Sequence, residues 1–235
     1  MLLGVEIGGT KLQIVYGDRD ANIVNKIRVS VDKKLGGEGI RESIAYMRGT
    51  PMVAALMKLV TVYSVLGVPY LTLMPVIARD QLGLDAGGYG ALLACVGVGG
   101  VAGALSLAAI GDRVRGTRLL STAAYAYGGL LIGLALARDA TVAYPILLAT
   151  GFMMIVNNAT ANSTLQHLIP NELRGRIMAA YSFVVVGLST VVGSLIAGSV
   201  AHALGVSWAI GGGAVIMLGY AYWAFERRPE LRAIE

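Results

Sequence analysis

The sequence predicts an all-α membrane protein, six transmembrane helices preceded by a small N-terminal β-rich α/β fragment. Two observations carry that class. Hydrophobic residues make up 56% of the 235-residue chain and charged residues only 14%, against about one quarter charged in an ordinary soluble domain. The charges are also segregated. The first 51 residues hold fourteen of them, and the stretch from Val53 to Ala224 holds thirteen, all but one in short loops between six long apolar runs. Length alone would admit one or two soluble domains, and this distribution argues against a wholly soluble chain.

Residues 1–46 read as a separate piece. Leu2–Ile7 and Leu12–Tyr16 have strand patterns joined by Gly8-Gly9-Thr10-Lys11, and a third strand fits Ile23–Val29. Gly36-Gly37-Glu38-Gly39 then opens a helix near Ile40–Tyr46. A piece of about 45 residues rarely buries enough apolar surface to fold alone, and three strands leave an open edge. The expectation is a poorly protected extension. Met1–Ile7 is too short for a cleavable signal peptide, with Lys11, Asp18 and Arg19 following closely. Residues 47–52 form the junction, ending at Pro51 and Met52.

A span needs about 20 mostly apolar residues, because hydrocarbon offers the backbone no hydrogen-bond partner. Six such runs lie between 53 and 225: Val53–Ala78, Tyr89–Ile110, Leu119–Ala137, Thr141–Leu165, Ile177–Ala203 and Val206–Phe225, with residues 226–235 as a tail. Pro69 and Pro75 should kink the first. Arg48, then Arg113, Arg115 and Arg118, then Arg174 and Arg176, then Arg227, Arg228 and Arg232 fall in alternate loops. The positive-inside rule therefore places both termini and these loops in the cytoplasm. It also accounts for the net charge of +5 without invoking nucleic acid.

Lys58 is the one charge inside a run, about one and a half turns from its start. Two readings fit it: an ammonium that snorkels to the interface, or a functional intramembrane charge. Cys95, the single cysteine, has no disulfide or thiol partner and reads as an inert buried thiol. No metal site or cofactor is implied. Gly99 and Gly103 have the GxxxG spacing that lets a neighbouring helix backbone come close.

The fourth run holds the best candidate pore chemistry. Asn158, Asn162 and Gln166 recur every four residues and so share one helical face. Lipid would leave three amides unsatisfied, so that face should meet protein or a water-filled cavity. Substrate contact and interhelical hydrogen bonding both fit. Asn157, Thr160 and Ser163 are less ordered in phase. No Asp or Glu falls within the six runs as bounded above, and His202 reads as an interfacial residue at the end of the fifth.

Three segments carry a family likeness: Leu73–Asp80, Gly111–Leu120 and Leu165–Met178. In order and spacing they resemble the C-terminal half of major facilitator superfamily transporters, with the bacterial enterobactin-exporter branch the closest in look, over about Pro51 to Arg228. The resemblance implies an efflux carrier of the bacterial plasma (inner) membrane, moving a small molecule and not acting as an enzyme. It also implies a gating role for Asp112 and Arg113, an Asp-Arg pair latching helix ends in one access state, although Val114-Arg115-Gly116 departs from the usual Gly-Arg-Arg continuation. The substrate path of such carriers lies between two six-helix halves. This chain carries one, so transport requires a complementary half or a homodimer.

The run Gly4-Val5-Glu6-Ile7-Gly8-Gly9-Thr10-Lys11 resembles the start of the ROK family of sugar kinases and repressors, with Glu6 where that family has Asp. By that resemblance Gly8, Gly9 and Thr10, with Lys11 beside them, are a vestigial phosphate loop. The catalytic Asp, the sugar-binding segment and the zinc cluster are missing, so only one wall of a phosphoryl-transfer site remains. Three functional readings stay open: a half-length transporter, a non-functional fusion or truncated gene product, and a membrane-tethered ROK-like kinase.

Overall fold

A computed structural model describes residues 2–8, 11–17, 23–30, 36–110 and 116–227. The chain divides into two compact units, Met1–Tyr46 and Met47–Glu235. In the first, β1 (Leu2–Gly8), β2 (Lys11–Gly17) and β3 (Ile23–Ser30) pair antiparallel in that order. The β1–β2 register runs from Leu2 opposite Gly17 to Gly8 opposite Lys11. Helix α1 (Gly36–Gly49) follows, continuing past the first unit's end.

The second unit is helical, and six of its helical stretches are long and apolar enough to cross a membrane: Pro51–Gln81, Ala86–Ala109, Arg118–Leu136, Ala140–Leu168, Asn171–Leu204 and Val206–Arg227. Each coincides with an apolar run of the sequence. The fifth begins six residues before the expected Ile177, because Asn171–Ile177 continues the helix as one amphipathic turn and a half, with Leu173 and Ile177 buried.

The first span is broken where its prolines predict. Helix α2 (Pro51–Leu66) stops at a turn through Gly67–Pro69, α3 (Tyr70–Val76) contains Pro75, and a π-helical turn, Ile77–Gln81, completes the span. Proline lacks the N–H and crowds the preceding turn, which forces such breaks. The second, third and fourth spans are helices α4 (Ala86–Ile110), α5 (Gly116–Leu136) and α6 (Ala140–Leu168). The fifth is α7 (Asn171–Ser182), a π-helical stretch Phe183–Gly193, and α8 (Ser194–Leu204). No proline marks that wide stretch. Ser189 Oγ donates to the Val185 carbonyl at 2.5 Å, a side-chain bond that competes with the regular ladder. Helix α9 (Val206–Arg227) is the sixth span.

The core lies where α2, α5, α6 and α9 meet. Helix α4 packs on α6, α5 on α6 and α9, and α2 on the π-helical stretch of the fifth span. The α4–α6 crossing is the tightest. A Cβ added at Gly99 would stand 1.9 Å from the Leu148 carbonyl oxygen, and one added at Gly151 would stand 2.1 Å from that of Val96. The GxxxG spacing thus marks a true backbone approach, with Gly103 one turn on against the Phe152 carbonyl. The second and fifth spans are the least covered by the rest of the chain. Val98, Val101 and Leu105 of the second and Phe183, Val186 and Leu195 of the fifth are exposed.

Candidate functional site

Helix α6 runs unbroken from an Asp139 cap to Leu168. Asp139 accepts from the Thr141 amide and hydroxyl, each at 2.7 Å. These bonds hold its carboxyl below the usual range, the hydroxyl first and the amide next. The helix is thereby fixed at one end while its last four turns present the amide face.

That face is assembled as its spacing requires, and it is not idle. Gln166 Nε2 donates to Asn162 Oδ1 along the helix. From α7, the Tyr181 hydroxyl donates to the Asn158 carbonyl at 3.2 Å and also engages the Asn162 side chain. Asn158 and Asn162 are half-buried and Gln166 is exposed. So Asn162 is tied to protein on both sides, whereas Gln166 keeps one amide N–H turned to the uncovered side.

Periodicity did not single out the residues that are buried deepest. Asn157 and Thr160 lie in the core of the unit, and Asn157 Oδ1 and Thr160 Oγ1 have no hydrogen-bond partner among the described residues. They share their helical phase with Val156, Ala161 and Leu165, all buried, so the apolar residues around them masked the signal. Three tyrosines were missed for the same reason. Tyr63 of α2 and Tyr127 of α5 stack with ring centroids 6.2 Å apart, and the Tyr70 hydroxyl reaches Met154 Sδ of α6 at 4.0 Å. All three are buried, and the hydroxyls of Tyr63 and Tyr127 have no partner among the described residues.

A second polar assembly ties three spans together at the opposite end of the unit. Gln81, closing the π-helical turn, donates through Nε2 to the Leu134 carbonyl at 2.9 Å and the Ala137 carbonyl at 2.6 Å. Arg138 Nη1 donates to the Ala135 carbonyl at 3.2 Å and to Ser207 Oγ at 3.2 Å, and Ser207 in turn donates to Gln81 Oε1 at 3.4 Å. The last carbonyls of a helix lack their regular partners; here the Gln81 amide from the first span, the Ala137 N–H and the Arg138 guanidinium supply them. Replacing Gln81 with leucine removes one donor from each of two carbonyls that keep a second, the Ala137 amide for Leu134 and Arg138 Nη1 for Ala137, at a cost of about 0.5–1.5 kcal/mol per bond lost. The expected result is faster amide exchange across 77–84 and 134–137, together with a lower melting temperature in detergent. Unchanged exchange there would mean that the clasp does not stabilise this end of the unit.

Lys58 is exposed on α2 while Leu56, Leu59 and Val60 beside it are buried, so its side chain leaves the bundle on the uncovered side. Asp112 and Arg113, the gating candidates, lie outside the described residues, as do Gly9 and Thr10. Gly8 and Lys11 are the last paired residues of the β1–β2 hairpin. No group of three or more His, Cys, Asp or Glu side chains gathers among the described residues.

No curated protein and no solved structure matches the chain. The family model for transmembrane secretion effectors, a major facilitator group, matches residues 23–234. That match begins upstream of Pro51 and so takes in β3 and α1 as well as all six spans. Six apolar helices, two uncovered spans and a match over most of the chain agree: the protein belongs to the transmembrane secretion effector family of major facilitator transporters.

Proposed function

We propose that this chain is a six-span half of a small-molecule efflux carrier of the bacterial plasma membrane, with both termini in the cytoplasm. It is completed by a complementary half or by a second copy of itself. The observation that carries this reading is the coincidence of two unfinished surfaces. The second and fifth spans are largely uncovered, and the Asn158–Asn162–Gln166 face ends in an exposed amide within a span. Hydrocarbon would leave the polar atoms of that amide not used by Asn162 without a partner; a water-filled path between two halves would not.

The test is dye or drug efflux from cells expressing the chain, with crosslinking and detergent-corrected mass to count its copies. Replacing Asn158 and Asn162 with alanine is expected to alter the selectivity profile at an unchanged membrane level. A fall in membrane level with selectivity intact would assign both residues to packing alone. In the same reading Asp112 and Arg113 latch helix ends in one access state, through charge-assisted contacts made and broken with the conformation. Asp112→Asn is expected to lower transport while insertion stays normal, and unchanged transport would remove the latch. The Gly8–Lys11 hairpin contributes no phosphoryl chemistry here, and nucleotide binding by the purified protein would contradict that.

A further inference from the structure

We propose that Lys58 is an anion-binding residue of the substrate path, selecting solutes that carry a carboxylate, sulfonate or phosphate on an apolar body. The proposal rests on the half-carrier reading and adds the substrate class. Three observations support it.

The first is placement. Lys58 lies seven residues inside the first span, about 10 Å along its axis, and its side chain is on the exposed side of α2. It makes no hydrogen bond or ion pair with any described residue. An ammonium at that depth is costly unless water or an anion meets it.

The second is the end of the unit at which it sits. The Tyr70–Met154 contact fixes the register between the first and fourth spans, which run in opposite directions and pack together through α2 and α6. Lys58 is twelve residues before Tyr70, across the turn at Gly67–Pro69, and Gln166 is twelve after Met154 along the unbroken α6. Lys58 and the Asn162–Gln166 pair therefore lie on the same side of that contact, toward the same end of the two packed spans.

The third is the chemistry of that end. It offers an ammonium and the Gln166 N–H that Asn162 does not take, beside carboxamide oxygens that are neutral acceptors. The nearest carboxylate on these segments is Glu172, in the first turn of α7 beyond the end of α6, where Arg174 and Arg176 follow it. An ammonium and an amide N–H, with no carboxylate closer on these segments, suit an anion and disfavour a cation.

The experiment reads local charge selectivity in the full chain. Cys95 is replaced with serine, Asn162→Cys is the reporter, Ser163→Cys is the second reporter should the first misfold, and the protein is reconstituted in phosphatidylcholine nanodiscs. Modification rates are compared for anionic 2-sulfonatoethyl and cationic 2-(trimethylammonium)ethyl methanethiosulfonate. The anionic-to-cationic rate ratio is expected to fall about tenfold in Lys58→Gln, from the loss of one nearby charge, and to persist in Lys58→Arg. 1-Decanesulfonate should protect the reporter and uncharged decanol should not. If both reagents react and Lys58→Gln leaves the ratio unchanged, the path stands and the anion site falls. If neither reagent reaches either reporter, the path itself fails and takes the site with it. If phosphatidylglycerol discs abolish the effect of Lys58, a lipid headgroup occupies it, and the assignment to solute is overturned.

Discussion

Valine at Gly151 drives α4 and α6 apart and costs about 4 kcal/mol or more, the range reserved for overpacking against atoms that cannot yield. The added Cβ would meet Val96 O at 2.1 Å, Val96 C at 2.9 Å and Val96 Cα at 3.0 Å, all backbone. No rotamer change relieves such a contact. Only separation of the two helices does, and that separation forfeits the dispersion contacts along the whole crossing. Lipid supplies no compensating hydrophobic force between helices, so close packing is what holds them together. Gly99→Val removes the same approach from the other side, since its Cβ would meet Leu148 O. The double replacement should therefore cost little more than either single one, because both break one shared interface. Gly97 is the control on the same helix. It is exposed, and a Cβ added there would have nothing within 4 Å, so Gly97→Ala should be neutral or slightly stabilising through helix propensity. Unfolding in a denaturing detergent titration measures all four variants. Equal losses at Gly97 and Gly151 would show that the crossing is not the determinant.

Sequence patterning made the membrane unit legible and the details of its interior less so. Six apolar runs and six spanning helices coincide because the need to satisfy every backbone group within the segment leaves hydropathy a direct imprint. Pro69 and Pro75 announced the break in the first span through lost N–H groups. The break in the fifth was silent, because Ser189 and the glycines around it carry no comparable prohibition and only the folded neighbours show their effect. At the candidate site, Asn158, Asn162 and Gln166 were visible because they stand out at a four-residue spacing. Asn157 and Thr160 showed only as polar residues out of that phase, and Tyr63 and Tyr127 not at all, since each lies in phase with apolar core residues. Gln81 was hidden for another reason. Its partners are the carbonyls of Leu134 and Ala137, and backbone acceptors more than fifty residues away leave no mark on the local sequence. The family match from residue 23 also reaches further upstream than the charge seam at Pro51, because charge density tracks solvent and not descent.

Tyr127 separates the two contributions that a buried tyrosine makes. Tyr127→Ala should destabilise the unit by about 3–5 kcal/mol, as for other large aromatic truncations, with lipid solvation of the unfolded helices favouring the lower figure. The ring fills the space between Tyr63, Gly67 and α9. It stacks on Tyr63, and a Cβ at Gly67 would stand 2.8 Å from its Cε1 and 3.2 Å from Met217 Sδ. Removing it opens a cavity that α2, α5 and α9 line together, and none of the three can close it without moving the others. Tyr127→Phe should behave in the opposite way. The hydroxyl is buried without a partner among the described residues, and an unsatisfied buried polar group costs about 1–3 kcal/mol. Phenylalanine keeps the ring and discards that cost, so the melting temperature should hold or rise. A loss in Tyr127→Phe as large as in Tyr127→Ala would require the hydroxyl to be hydrogen-bonded in the working protein. The polar centre of this unit would then extend from the amide face of α6 to the tyrosine pair between α2 and α5.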